Sequence, residues 1–185
     1  MAAATLVSVS PYSQSKYHKT EAIEKESKAD WENRTWRERL NVNEAGQVFI
    51  PPMAFKNCLS DAAQYLSQKI QGKRNATYTK HFKAGVIVTD PLVLPIAKDQ
   101  VAGQVLFVPA DGKRGSGSRV ERIFPLITSW RGEVIFHILD DTITKDVFAY
   151  HLEQAGRFIG IGRFRPQNNG YYGRFNVEKL EWVKV

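Results

Sequence analysis

With 185 residues the chain is long enough for one domain with a full apolar core, and its 43% hydrophobic composition suits a globular fold. Its 26 Lys and Arg against 19 Asp and Glu leave a net charge of +7, which turns attention to acidic partners; no apolar run approaches the length of a membrane-spanning helix. The single cysteine, Cys58, excludes an internal disulfide framework, and with no basic, apolar leader in Met1 to Val9 the expected location is the cytoplasm.

Thr5 to Ser10 alternates polar and apolar residues and ends at Pro11, which predicts a first strand. Tyr12 to Leu40 is polar and charged, with Trp31 and Trp36 as aromatics expected to pack as a small satellite core. Val48 to Ile50 predicts a brief strand, and Pro51 and Pro52 then open a helix. Phe55, Cys58, Leu59, Ala62, Leu66 and Ile70 recur at three- and four-residue steps on one face, and Gly72 closes the run. Cys58 reads there as a small buried hydrophobe.

Lys73 to Lys83 is polar and basic. The β-branched stretch that follows and Val101 to Val108 read as two strands, so that Gly85 to Val108 forms a projecting hairpin. Asp111 to Ser118 is a glycine- and serine-rich loop. Arg119 to Thr128 and Glu133 to Leu139 read as a pair of strands, the second apolar enough to be central, with His137 as a sheet histidine. Asp140 and Asp141 end that strand, Thr144 caps a helix from Lys145 to about Gly156 with Val147, Phe148, Leu152 and Ala155 on its apolar face, and Phe175 to Val183 supplies a last strand. The order is strand, helix, strand, strand, helix, strand. This is an α+β fold with a ferredoxin-like core of the kind RNA-recognition motifs use, read as one domain over 1–185 with large insertions at 12–51 and 72–118.

Three stretches concentrate the positive charge: Lys73 to Thr89 carries +4, Lys113 to Arg122 carries +3 and Arg157 to Phe175 carries +4, so the remainder is slightly acidic. The last stretch, "RFIGIGRFRPQNNGYYGRF", holds four arginines, five aromatics and four glycines without an acid. Glycine lets a backbone approach a ligand and offers its amides to phosphate, arginine supplies forked donors, and aromatic rings stack on unpaired bases. The expected nucleic-acid contacts are therefore Arg157, Arg163, Phe164, Arg165, Tyr171, Tyr172 and Arg174, joined by Lys73, Arg74, Lys80 and Lys83 and by Lys113, Arg114 and Arg119. Stacking and phosphate contacts leave single-stranded DNA open beside RNA.

Other chemistry finds little support. Gly160-Ile-Gly162 has Arg165 where a dinucleotide fingerprint needs glycine and follows a helix rather than a strand; "GKRGSGS" lacks the order of a phosphate-binding P-loop. His18, His81, His137 and His151 are scattered and one cysteine cannot build a zinc centre, so neither metal nor cofactor is expected. Paired Asp140 and Asp141 suit a helix-opening turn better than catalysis. His18 and His81 flank basic, tyrosine-containing segments and are the candidates for a general base if the chain cleaves RNA without metal.

The helix ending in Ala155-Gly156, the "GIGRFRPQNNGYYGRF" loop and the closing strand together resemble the glycine-rich loop region of the repeat-associated mysterious protein (RAMP) superfamily, in particular the "Cas seven" backbone subunit of CRISPR effector complexes. "VFIPPMAFKNCLSDAA" is similar to that family's first core helix. The resemblance covers about half of the chain. It implies a non-catalytic, sequence-tolerant RNA-binding subunit that forms homo-oligomers along guide RNA beside other effector subunits. It also implies a thumb-like hairpin, for which Lys73 to Ser118 is the candidate, and phosphate contacts from Arg157, Arg163, Arg165 and Arg174. Relatives that cut RNA with an aspartate after the first strand put Asp30 in the corresponding insertion. A phage-borne relative of the backbone subunit, a RAMP-type RNA-processing endonuclease and a protein-interaction module that mimics or inhibits a CRISPR complex are the alternatives.

Overall fold

A computed structural model describes residues 1–110 and 117–183. In chain order the strands are β1 (Ala2–Ser8), β2 (Tyr12–Ser13), β3 (Gln47–Ile50), β4 (Val86–Ile87), β5 (Leu92–Ala97), β6 (Ala102–Pro109), β7 (Arg119–Ile127), β8 (Arg131–Ile138) and β9 (Phe175–Trp182). The helices are α1 (Lys28–Thr35), α2 (Pro52–Leu66), α3 (Thr79–Gly85) and α4 (Lys145–Gln154).

β1 lies at the centre of an antiparallel sheet of order β4-β8-β1-β9. With α2 between β1 and β4, and α4 between β8 and β9, this is the expected ferredoxin-like core of a mixed α/β protein. β1 begins three residues earlier than its alternation predicts, because pairing on both sides overrides the weak strand preference of Ala2 and Ala4, whose methyl groups are fully buried with Leu6. Above them Phe55 of α2 meets Trp130 and Phe175 edge-on, and Phe148 of α4 meets Phe136. His137 is a sheet residue, paired with Ile87.

Two expectations about the strands are corrected. Residues 85–108 form no hairpin: Val86–Ile87 pairs with β8, Leu92–Ala97 pairs with β3, and Ala102–Pro109 pairs with β7. Arg119–Ile127 is therefore not a core strand but the centre of a second sheet, β2-β7-β6, and the two-residue β4 takes the core position. The long hairpin is β6–β7, in full register from Ala102 opposite Leu126 to Pro109 opposite Arg119. Part of the expected loop between them, residues 111–116, lies outside the described residues.

α2 stops at Leu66, a turn short of its predicted end, where Ser67 takes a left-handed conformation and its amide bonds Ala63. Ile70 is still buried, held by the bridge between Lys69 and Thr77. The basic stretch before β4 contains α3, whose Phe82 is buried against Phe148. α4 ends in a single wide turn over Ala155–Ile159. No helix among the described residues is long and apolar enough to cross a membrane.

Candidate nucleic-acid interface

The glycine-rich loop is fixed largely by its own amides. Ile161 N donates to Gly173 O, Arg163 N to Ser13 O, Gly170 N to Arg165 O, Tyr172 N to Phe164 O and Gly173 N to Pro11 O, all at 2.7–3.0 Å. Arg174 N reaches Ser10 Oγ at 3.0 Å. Gly162 and Gly173 both have positive φ, and a Cβ would strike the Tyr12 ring at the first and Ile161 O at the second. The expectation that these amides are free for phosphate is thus corrected where they close the loop on itself and on residues 10–13. The loop presents side chains from a fixed backbone.

Those side chains divide between two depressions. Arg163, Phe164 and Arg165 line a groove of about 550 Å³ together with Met53, Ala54 and Asn57 of α2 and with Gln14, Lys16 and Asn41. Phe164 is 45% exposed and Met53 55%, so two apolar side chains stand unburied in a cationic groove. Arg165 reaches Asp61 of α2 at 3.4 Å and Gln167 at 3.0 Å. Arg157 and Arg174 instead line a separate hollow of about 470 Å³ with Val9, Glu153 and Asn176. There Arg174 Nε donates to Arg157 O, and Arg157 lies over Phe158. Tyr171 is exposed, while Tyr172 donates its hydroxyl to Gln104 Oε1 at 2.7 Å and so ties the loop to β6.

The remaining predicted cations are dispersed. Lys83 Nζ donates to Gln64 Oε1 at 2.9 Å, and Gln64 is one turn beyond Asp61 on α2, so Lys83 and Arg165 flank neighbouring turns of one helix. Lys73, Arg74 and Lys80 are exposed on the segment before and within α3 and are not among the residues that line the groove with Arg163. Arg119 sits at the far end of β7, where Nη2 approaches Phe107 O. Lys113 and Arg114 fall outside the described residues.

Sequence reasoning missed the residues that complete the groove. Lys16 bonds Arg39 O through its amide, and Gln14 Oε1 accepts from Asn41 N. Behind them Glu32 of α1 accepts from Arg39 Nη1 and Nη2 at 2.7 and 3.0 Å, from Arg122 at 3.0 Å and from Ile123 N at 2.7 Å. Burial alone would raise the Glu32 carboxyl, but these donors outweigh it and hold it below its ordinary range. Arg39 and Arg163 both lie over the ring of Phe124, at 5.2 and 3.5 Å from its centroid. The only sequence signal for this cluster was the charge-rich "DWENRTWRERL", whose Trp36 is buried and whose Trp31 donates to Thr20 O.

The catalytic candidates lie apart. His18 stacks on Trp31 and bonds Thr20 Oγ1 at 3.0 Å; burial, then Arg39, pushes it below its ordinary value. Asp30 closes the first turn of α1 by accepting from Ser27 Oγ at 2.6 Å. His81 Nδ1 is 2.6 Å from Asp140, whose carboxyl this bond, with Thr142 N, brings down to about 2. Cys58 is buried, its thiol pushed up by burial, with Sγ 3.4 Å from Ala155 O. Among the described residues no three His, Cys, Asp or Glu side chains converge as a metal site would require.

No protein family model and no curated protein matches this sequence. Among solved structures the chain is similar to Cmr6 from Pyrococcus furiosus, at 14% identity and a TM-score of 0.46, over 96% of this chain and 98% of that one. It is also similar to a chain of a CRISPR RNA-guided surveillance complex, at 8% identity and a TM-score of 0.39, over 97% of this chain and 68% of that one. Both likenesses are distant.

Proposed function

We propose that the chain is a non-catalytic, sequence-tolerant RNA-binding subunit, and that a single strand runs through the groove between the glycine-rich loop and α2. The observation that carries this reading is the convergence of Lys16, Arg163 and Arg165 with the exposed Phe164 and Met53 on one groove. Cations beside unburied apolar faces suit a backbone with unstacked bases better than a duplex, whose bases face inward. The proposal of CRISPR guide RNA as the strand, with further copies and other effector subunits along it, follows from the resemblance of the loop and α2 to the RAMP backbone subunits. In that arrangement the β6–β7 hairpin, rather than the whole of 73–118, is the thumb.

Size-exclusion chromatography with light scattering and the 260/280 nm absorbance ratio, before and after ribonuclease, tests this. Large particles that carry RNA and dissolve on ribonuclease treatment are expected. A nucleic-acid-free monomer that binds an effector subunit would replace the reading with a protein-interaction module.

A second reading, an RNA-processing endonuclease, has the His81–Asp140 contact in its favour, since a carboxylate on Nδ1 leaves Nε2 as a base. Labelled RNA incubated in EDTA with stoichiometric protein separates the two: the subunit leaves it intact.

A further inference from the structure

Arg163 is held at three points. Its amide is bonded to Ser13 O, its guanidinium carbon lies over the Phe124 ring 3.5 Å from the centroid, and the Phe164 ring stands 5.9 Å away. No carboxylate among the described residues pairs with it, and Nη1 is buried without a hydrogen-bond partner. Burial, the larger cause, lowers the affinity of this guanidinium for its proton, and Arg39 across the same ring adds to it. Arg39 differs in having its charge met by Glu32 and its Nη1 shared with Ile123 O. The same contacts fix β7 at Arg122 and Ile123, directly before Phe124, while Tyr172 fixes Gln104, the residue opposite Phe124 on β6.

We propose that Phe124 is a positioning residue: held by the Glu32–Arg39 clamp, its ring orients Arg163 so that the guanidinium Nε and Nη2, which unlike Nη1 are not buried and have no partner among the described residues, meet a phosphodiester oxygen of the strand in the groove. This rests on the reading of the groove as an RNA path. An arginine on a flexible stem must be ordered when it binds, whereas one already stacked has that ordering built into the fold. Glu32 and Arg39 of the insertion and Phe124 of the hairpin thereby act on the glycine-rich loop through Arg163.

Fluorescence anisotropy with a labelled oligouridylate, read across a salt series, tests the proposal on Phe124→Leu, Phe124→Tyr, Arg163→Ala and the double variant Phe124→Leu/Arg163→Ala. Phe124 is only half-buried, and thermal melting checks that each variant folds. Phe124→Leu is expected to bind about tenfold more weakly, the cost of ordering one long side chain on binding. Phe124→Tyr is expected to bind as the wild type, and Phe124→Leu to cost nothing further once Arg163 is alanine. Unchanged affinity in Phe124→Leu while Arg163→Ala is weak, or an equal loss with and without Arg163, overturns the positioning role and leaves the groove standing. Wild-type affinity in Arg163→Ala overturns the groove reading itself, and this proposal with it.

Discussion

The two stretches with the largest charge, Lys73 to Thr89 and Arg157 to Phe175, each carry +4, yet the fold treats them differently. In the second, amides bond inward to residues 10–13 and to the loop itself, and two arginines and a phenylalanine are brought to one groove. In the first, Lys73, Arg74 and Lys80 stay exposed, and of its four cations Lys83 reaches Gln64 of α2. Density of charge along a sequence therefore marks an electrostatic field, while a fixed backbone turns charge into a site.

The contrast is sharpest under substitution. Arg163→Ala/Arg165→Ala should weaken single-stranded RNA binding at least about a hundredfold, since hydrogen bonds to charged groups contribute roughly 1.5–3 kcal/mol each. The loss should be alike for unrelated sequences, and the slope of log K against log salt should fall by about 0.7 for each phosphate contact removed. A loss confined to one sequence would turn the groove into a base-reading site. Phe164→Ala comes next, at about tenfold, because base stacking on an aromatic contributes roughly 1–3 kcal/mol. A Phe164→Trp variant should retain the affinity.

Acid should act first on the side of the molecule that carries the other stretch. His151 is fully buried, stacked 4.3 Å from Phe82 of α3 and edge-on to Tyr78, with Nε2 unpartnered among the described residues. Burial, only partly offset by the bond to Val147 O, pushes its pKa down, so the folded chain holds it neutral where the unfolded chain is protonated. Its contribution to stability is complete above the unfolded value near 6.5 and declines below it, by at most about 1.4 kcal/mol per pH unit. Burial also lowers His18, which acts in the same direction. Melting between pH 7.5 and 5.5 should show the decline, and a His151→Phe variant a smaller one; equal declines would place the sensitivity elsewhere. The smallest effect belongs to Lys73→Ala/Arg74→Ala/Lys80→Ala. About a two- to threefold loss at low salt is expected, vanishing near 0.5 M, because contributions of exposed, long-range charges are screened. A loss matching the loop double variant would erase the distinction between the two stretches.

How legible all this was in the sequence depended on how local the cause is. Phe55, Cys58, Leu59 and Ala62 recur at helical spacing and lie buried on α2, and Thr144 caps α4 as its position suggests. The core strand β4 has two residues, too few for any period to register, while β7, with nine residues and an apolar run from Ile123 to Ile127, is the more visible strand but pairs with β6. Glu32 reads as one more charge in a polar insertion; it is buried where Arg39, Arg122, ninety residues on, and Ile123 N come to it. The arginines of the groove were visible because they sit in one run. Lys16, Met53 and Asn57 were not, because three separate segments meet only in the fold.

The most direct test is ultraviolet cross-linking of the purified protein to single-stranded RNA, followed by peptide mapping of the nucleotide adducts. The account predicts adducts on Phe164 and on the α2 peptide containing Met53 and Asn57, lost in Arg163→Ala/Arg165→Ala. Adducts confined to Lys73–Lys83, or none on the groove peptides under conditions where RNA is bound, would contradict it.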